Sequence, residues 1–199
     1  MKELQSLNNL VDAFKTFPSV GSKTAERMGY SVLDMSDEEV DELVNAISKA
    51  KKSIHACPVC GLLTEDDTCS ICKDPNRNHS TCIVLSYPKD VISFERLESY
   101  RGTYHVLNGV ISSLHNMGPD DLRISELIQR IPSEGIKEVI IATNPTLEGE
   151  TTARYLSKIL RNYDVKVTRL GYGIPANGQL DYVDDLTIEK ALDNRTDLK

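Results

Sequence analysis

Apolar residues in the first quarter of the chain recur every three or four positions, which is the spacing of one face of a helix. Ser22 is the predicted N-cap of the second helix, and Ser36 with Glu39 forms a capping box before the third. The pattern therefore predicts three short helices within the first 55 residues. Their apolar positions are, in order, Leu4, Leu7, Val11 and Phe14, then Ala25, Met28 and Val32, then Val40, Leu43, Val44 and Ile47.

Beyond residue 80 the pattern changes to short, continuous apolar runs rich in β-branched residues. Continuous hydrophobicity predicts strands that are covered on both faces. Helical patterns separate the runs, and this alternation predicts a parallel α/β sheet. The fold class is therefore α/β with small appended elements. The four predicted strands lie at residues 82–85, 104–107, 139–142 and 165–168.

Four cysteines between the two regions form two C-x-x-C pairs separated by eight residues: Cys57, Cys60, Cys69 and Cys72. Thiolates at this spacing can surround one tetrahedral metal ion, and a four-sulfur set with no open position favours one structural zinc ion per chain. Two redox-active dithiols are the main alternative. Cys82, the fifth cysteine, lies inside a predicted strand and is interpreted as a buried apolar residue rather than a ligand.

The turn between the first two helices, residues 17–27, resembles a helix-hairpin-helix, in which backbone N–H groups at a helix N-terminus face a DNA phosphate. Lys23 and Arg27 are one helical turn apart, so both can reach neighbouring phosphates. Ser19 stands where this motif usually has its first glycine. The alternative is a packed helix pair whose basic residues are simply solvated.

The third predicted strand leads into a helix through a segment that resembles the Toprim domain of topoisomerases and primases. In catalytic members of that class, a D-x-D pair, an E-G-E motif and a first-strand glutamate hold Mg²⁺. Here the D-x-D positions are Asn144 and Thr146, and Leu85 or Ser86 stands at the first-strand position. These substitutions predict a catalytically silent Toprim fold.

Two carboxylates of this segment remain, Glu148 and Glu150. One interpretation is favourable negative charge in the first turn of a helix. The functional alternative is contact with a partner or with a residual Mg²⁺ ion.

Composition and charge limit the kinds of protein that this chain can be. The 199 residues are 40% hydrophobic and 27% charged, which is typical of a globular protein. The chain has 23 Lys plus Arg against 30 Asp plus Glu, so its net charge of −7 excludes a strongly cationic nucleic-acid coat but not a local basic patch. No apolar run is long enough to span a bilayer, and no signal peptide is recognisable, so a cytoplasmic protein without membrane contact is expected.

The ordered set of helix-hairpin-helix, four-cysteine knuckle and Toprim segment resembles one family, the RecR recombination mediators of bacteria, over essentially the whole chain. The resemblance implies four parts: a DNA-binding helix-hairpin-helix region (1–55), a four-cysteine zinc finger (56–79), a Toprim domain (80–175) and a C-terminal segment in oligomer contacts (176–199). It also implies a non-enzymatic role in recombinational DNA repair. Family members act with RecO and RecF at single-stranded gaps, where they help RecA recombinase to load.

The resemblance further implies a homo-oligomer, either a tetrameric or a dimeric ring. A ring gathers several copies of Lys23 and Arg27 in one place, which would reconcile an acidic chain with DNA binding. Two other functions are compatible with the motifs. One is a Mg²⁺-dependent nuclease or topoisomerase-like enzyme of the Toprim class, and the other is a zinc-stabilised protein-interaction module without DNA contact.

Overall fold

The structure, a computed structural model, describes residues 4–197 of the chain. The outer ends of the first and last predicted parts, residues 1–3 and 198–199, lie outside the described residues. The chain divides into two compact units, Met1–Ile54 and His55–Lys199. Within the described residues, no helix combines the length and apolar character needed to cross a lipid bilayer.

The first unit contains the three predicted helices, α1 (Gln5–Lys15), α2 (Ser22–Leu33) and α3 (Asp37–Ser53). Helices α1 and α2 pack closely because Gly29 of α2 lies against α1. A Cβ atom at Gly29 would lie 3.0 Å from Val11 Cγ2 and 3.2 Å from Leu7 Cδ1. The predicted apolar face of α1 is therefore the face that α2 covers.

The ends of these helices confirm one cap prediction and correct another. Ser36 Oγ accepts a hydrogen bond from Glu39 N (3.2 Å), and the Glu39 carboxylate accepts one from Ser36 N (2.8 Å), which completes the predicted capping box. The prediction of Ser22 as an N-cap is wrong by one residue. The extended residue before α2 is Gly21 (φ −81°, ψ 170°), and its carbonyl accepts the first helical hydrogen bond, from Ala25 N (2.9 Å).

The second unit is built on a four-stranded parallel sheet of order β4-β3-β5-β6, which confirms the predicted α/β class. A two-stranded antiparallel hairpin, β1 (His55–Ala56) and β2 (Leu63–Thr64), and the short helix α4 (Ser70–Lys73) precede it. The remaining elements are β3 (Asn78–Leu85), α5 (Val91–Glu95), β4 (Gly102–Val106), α6 (Ile124–Glu134), β5 (Glu138–Ile141), α7 (Leu147–Leu160), β6 (Lys166–Arg169) and α8 (Asp185–Asp193).

Both faces of the central strand β3 are buried, as its continuous apolar run predicts. Cys82 and Val84 lie in a core formed with α6 and α7. Ile83 and Leu85 lie in a second core on the opposite face, formed with α5 and the cysteine region. Cys82 is 0% exposed, in agreement with its interpretation as a buried apolar residue.

His105 of β4 is a fully buried polar residue held by hydrogen bonds. Its Nε2 donates to Arg123 O (2.6 Å), so Nδ1 is the acceptor that faces Arg130 Nη1 (3.2 Å). Arg130 also donates to Tyr104 O (2.8 Å) and forms a two-bond ion pair with Glu134. Burial, and after it the positive charge of Arg130, lower the pKa of His105 to about 3. The imidazole is therefore a neutral structural group.

This network predicts a pH dependence of stability. An unfolded histidine titrates near pH ~6.5, whereas folded His105 stays neutral to about pH 3. Between these values the unfolded state binds one more proton, so the free energy of unfolding falls as the pH falls, by up to ~1.4 kcal/mol per pH unit from this group. His105→Gln, which retains a donor near Arg123 O, is expected to reduce that slope in urea unfolding measured from pH 7 to pH 4.

The matched control is His115→Gln, because His115 is exposed. The wild type and both variants share the four cysteines and every acidic residue, so the comparison isolates the histidine. An unchanged slope in His105→Gln would show that His105 is not the titrating group.

Candidate metal centre and nucleic-acid interface

The first cysteine pair lies on the tight turn of the β1–β2 hairpin. Cys57 N donates to Leu62 O (2.7 Å), and Gly61 N donates to Cys57 O (2.9 Å). Gly61 has φ +78°, a conformation that favours glycine, and a Cβ atom there would lie 2.6 Å from Val106 O. The turn therefore places Cys57 and Cys60 side by side and brings them close to strand β4.

The second pair is placed by the start of helix α4. Cys69 is its N-cap residue, and Lys73 N donates to Cys69 O (3.1 Å). One helical turn brings Cys72 back to the same side. Cys69 N lies 3.5 Å from Cys57 Sγ, as expected for a backbone N–H that donates to a sulfur atom.

The four sulfur atoms converge as the sequence predicts, within 4.8 Å of one another. In a tetrahedral zinc site with Zn–S distances of about 2.3 Å, the sulfurs lie about 3.8 Å apart. Cys60 Sγ and Cys69 Sγ are 3.4 Å apart. The size of the cluster and its all-sulfur donor set therefore fit one structural zinc ion.

The thiols of the cluster also influence one another's ionisation. Hydrogen bonds from Cys60 and Cys72 lower the pKa of Cys69 to about 2. The contact with Cys69 raises the pKa of Cys60 to about 12, and the contact with Cys60 raises the pKa of Cys72. Cys60 and Cys72 therefore hold their protons more tightly than isolated cysteines do. A divalent ion compensates further negative charge and allows all four to ionise.

Two hydrogen bonds join the cluster to strand β4 and to the start of helix α6. Val106 N donates to Cys60 O (2.7 Å), and Arg123 Nη2 donates to Pro58 O (2.6 Å). Cys57, Cys60 and Cys69 also belong to the buried core on this face of the sheet. No pattern in the sequence signals the role of Arg123, because its partner is a backbone carbonyl 65 positions away.

The hairpin of the first unit has the features of an anion-binding turn. Ser19 adopts φ 67°, the left-handed conformation that favours glycine, and Gly21 caps α2 without a side-chain hydrogen bond. The N–H groups of the first turn of α2 therefore have no acceptor from their cap residue. Lys23 and Arg27 are exposed on the same helix. A Cβ atom at Gly21 would meet nothing within 4 Å, so this backbone is open to a ligand.

The residues that replace the Toprim acids lie at or after the ends of strands β3 and β5. Leu85 and Ser86 are buried at and just after the end of β3. Thr146 is the N-cap of α7, and its Oγ1 accepts from Gly149 N (3.1 Å). A Cβ atom at Gly149 would lie 2.0 Å from Asn144 O, so this loop requires glycine. The loop keeps its tight form although Asn144 and Thr146 carry no carboxylate.

The two remaining acids have different surroundings. Glu148 is partly buried in the first turn of α7. Glu150 forms an ion pair with Arg169 Nη2 (2.7 Å) and accepts a hydrogen bond from the Tyr172 hydroxyl. Burial raises the pKa of Glu150, but the bonds from Tyr172 and Arg169 outweigh it, so the pKa lies below its usual value.

Arg169 is a residue of this edge whose role sequence reasoning missed. Besides Glu150, its guanidinium donates to Ile141 O (2.8 Å) and Thr143 O (2.7 Å) at the end of β5. It therefore places a positive charge where Toprim enzymes gather negative charge around a metal. The sequence did contain a signal for this role. Arg169 ends the last parallel strand, and the carboxyl ends of parallel strands meet at one edge of the sheet.

Comparison with known proteins gives matches over most of the chain. Family models match for the RecR helix-hairpin-helix (residues 7–51), the RecR four-cysteine zinc finger domain (54–74), the Toprim domain (80–171) and the RecR C-terminal region (173–196). Two curated relatives, both called Recombination protein RecR, come from Clostridium perfringens strains ATCC 13124 and 13. Each is 46% identical over 191 residues, which cover 96% of this chain and 96% of the relative.

We expect the four-cysteine cluster to bind one zinc ion per chain with release of protons. Cysteine ligands lose their protons when zinc binds, and contact with Cys69 raises the pKa of Cys60, so zinc must displace that proton. The affinity for zinc is therefore expected to fall as the pH falls, by about tenfold per pH unit for each proton released. Competition with a chromophoric chelator between pH 8 and pH 6 measures this dependence.

Two cysteine variants test the assignment of ligands. Cys60→Ser is expected to lose most of the affinity for zinc, whereas Cys82→Ala removes a cysteine outside the cluster and should keep the wild-type stoichiometry. Zinc binding that is independent of pH, or retained equally in Cys60→Ser, would contradict the four-thiolate site.

Proposed function

The chain belongs to the RecR family and therefore has a role in recombination and DNA repair, and from this premise we propose that it is a non-enzymatic mediator that binds DNA. In this proposal it acts with RecO and RecF at single-stranded gaps and helps RecA recombinase to load. Its four parts are residues 1–55, 56–79, 80–175 and 176–199, in the order hairpin, zinc finger, Toprim domain and C-terminal segment.

The main structural support for DNA binding is the geometry of the turn before α2. Gly21 supplies no side-chain acceptor to the first turn of the helix, and its surroundings are open. The partial positive charge of a helix N-terminus favours a phosphate there. Lys23 and Arg27 are exposed one turn apart, so they supply the charge for neighbouring phosphates. These contacts are to the backbone of DNA, which explains binding without sequence preference.

The sheet edge supports a role without catalysis. Phosphoryl transfer by a Toprim site needs several carboxylates around a divalent ion. Asn144 and Thr146 supply none, and the charge of Glu150 is compensated by Arg169. In this proposal Glu148, which is partly exposed, is available to a partner protein rather than to a metal.

Exposed apolar surface in both units supports a homo-oligomer, which we propose is a tetrameric or dimeric ring. On α3, Val44 and Ile47 are 58% and 59% exposed. In the C-terminal segment, Tyr182 is 84% exposed, with Leu186 and Leu192 also exposed. Such side chains at both ends of the chain suit contacts between copies. A ring would concentrate Lys23 and Arg27 although the chain carries a net charge of −7.

We also propose that the protein works in the cytoplasm. Four thiols that converge as metal ligands need a reducing compartment, since oxidation to disulfides would remove them from the metal.

Substitution of the two basic residues tests the DNA interface. Lys23→Ala and Arg27→Ala are each expected to weaken binding to gapped DNA, because each removes one interaction with a phosphate. The slope of log K against log salt concentration should become shallower by about 0.7 to 0.9 for each phosphate that is no longer neutralised. Fluorescence anisotropy over a salt series measures both effects.

The control variant is Lys158→Ala, because Lys158 is an exposed lysine on α7 in the other unit. Unchanged binding and slope in both test variants would favour an interaction module without DNA contact. Cleavage of labelled DNA in the presence of Mg²⁺ would instead favour the Toprim enzyme.

A charge placed on α3 tests the proposed oligomer. Val44→Asp is expected to lower the solution mass measured by sedimentation, because it buries an unpaired carboxylate in the proposed contact. Asn45→Asp is the matched control, since it adds the same charge at the next exposed position of the helix. An equal mass for both variants and for the wild type would exclude this face from the contact.

A further inference from the structure

The four cysteines of the metal centre differ in their access to solvent. Cys57, Cys60 and Cys69 are 0%, 1% and 2% exposed, whereas Cys72 is partly exposed. Cys72 is thus the residue of this centre with the largest exposed fraction.

The sheet covers one side of the metal centre. Cys57, Cys60 and Cys69 share a core with Ile83 and Val106. The hydrogen bond from Val106 N to Cys60 O (2.7 Å) holds the first cysteine pair against that core. A reagent cannot approach these sulfurs from the sheet without opening the core.

The open side leads into a small cavity. It has a volume of about 220 Å³ and is lined by Val59, Thr68, Cys72, His79 and Glu134. A water molecule occupies about 30 Å³ in the liquid, so the cavity can hold a small organic reagent as well as water.

Two polar side chains of the cavity wall, Glu134 and His79, already have partners of their own. Both carboxylate oxygens of Glu134 accept from Arg130 (2.8 and 2.9 Å). His79 Nε2 lies 3.3 Å from Asp74 O. These two side chains place polar groups in a mostly apolar wall, and the Cys72 thiolate of the zinc-loaded centre is the nucleophile of the cavity.

We propose that Cys72 is the site at which small soft electrophiles modify this protein, and that modification there opens the metal centre. An N-substituted maleimide is the model reagent. In the zinc-loaded protein the Cys72 thiolate forms the new S–C bond with a lone pair, the electron pair of the C=C bond moves to the neighbouring carbon, and that carbon takes a proton from water, which leaves hydroxide. The product is a neutral thioether, which no longer supplies a thiolate to the metal, so zinc is released.

The test uses the zinc-loaded full-length chain and one equivalent of N-ethylmaleimide. Samples are quenched over time, digested and analysed by mass spectrometry, while a chromophoric indicator follows zinc release. We expect the first adduct on Cys72, formed at least about tenfold faster than on the other three cysteines of the centre. Zinc release should follow the same time course. A first adduct on Cys57, Cys60 or Cys69, or equal rates at all four, would overturn the proposal.

A variant that fills the cavity tests the route of approach. Thr68→Tyr is expected to slow labelling of Cys72 several-fold at unchanged zinc content, because Thr68 lines the cavity. Asp67→Tyr is the matched control, since Asp67 is exposed and does not line it. Labelling of Cys72 at the wild-type rate in zinc-loaded Thr68→Tyr would overturn the route. If that variant does not retain zinc, the order of labelling in the wild-type chain decides the proposal by itself.

Discussion

Four sulfur atoms held within 4.8 Å of one another are the constraint on which the unit His55–Lys199 depends. Four thiolates at this distance repel one another and a divalent cation offsets that repulsion, so metal binding and the local fold are coupled. The cluster is also part of a core, because Cys57, Cys60 and Cys69 pack with residues of the sheet. The hydrogen bonds to Cys60 O and Pro58 O tie the cluster to strand β4 and to Arg123.

The sheet edge shows how a fold used for metal chemistry can keep its shape while its charge changes. Gly149 and the N-cap Thr146 preserve the tight loop at the start of α7. Arg169 donates to two carbonyls of the neighbouring strand end and pairs with Glu150. A guanidinium with these bonds stabilises the edge as a packed structure. The loop therefore remains intact without the acids that would hold Mg²⁺.

Much of the fold followed from local patterns of residues. Continuous apolar runs predicted strands buried on both faces, and β3 has a core on each side. The Ser36 and Glu39 capping box was also predicted, because both partners lie within one turn. The N-cap of α2 was not, since Gly21 caps the helix with its backbone alone and has no side chain to signal the cap. Ser19 keeps the left-handed backbone of the turn without the usual glycine.

The metal centre could be predicted from residue order alone, since two C-x-x-C pairs place their four sulfurs through local turns. The class of the sheet and the substitution of the reactive acids were predictable for the same reason, because they depend on residue type and order. Which residues form ion pairs and long-range hydrogen bonds depends instead on the tertiary structure. Arg169 pairs with Glu150, 19 positions away, and Arg123 donates to the Pro58 carbonyl, 65 positions away, because the tertiary fold brings them together. The different exposure of the four cysteines arises in the same way, from the sheet that covers three of them.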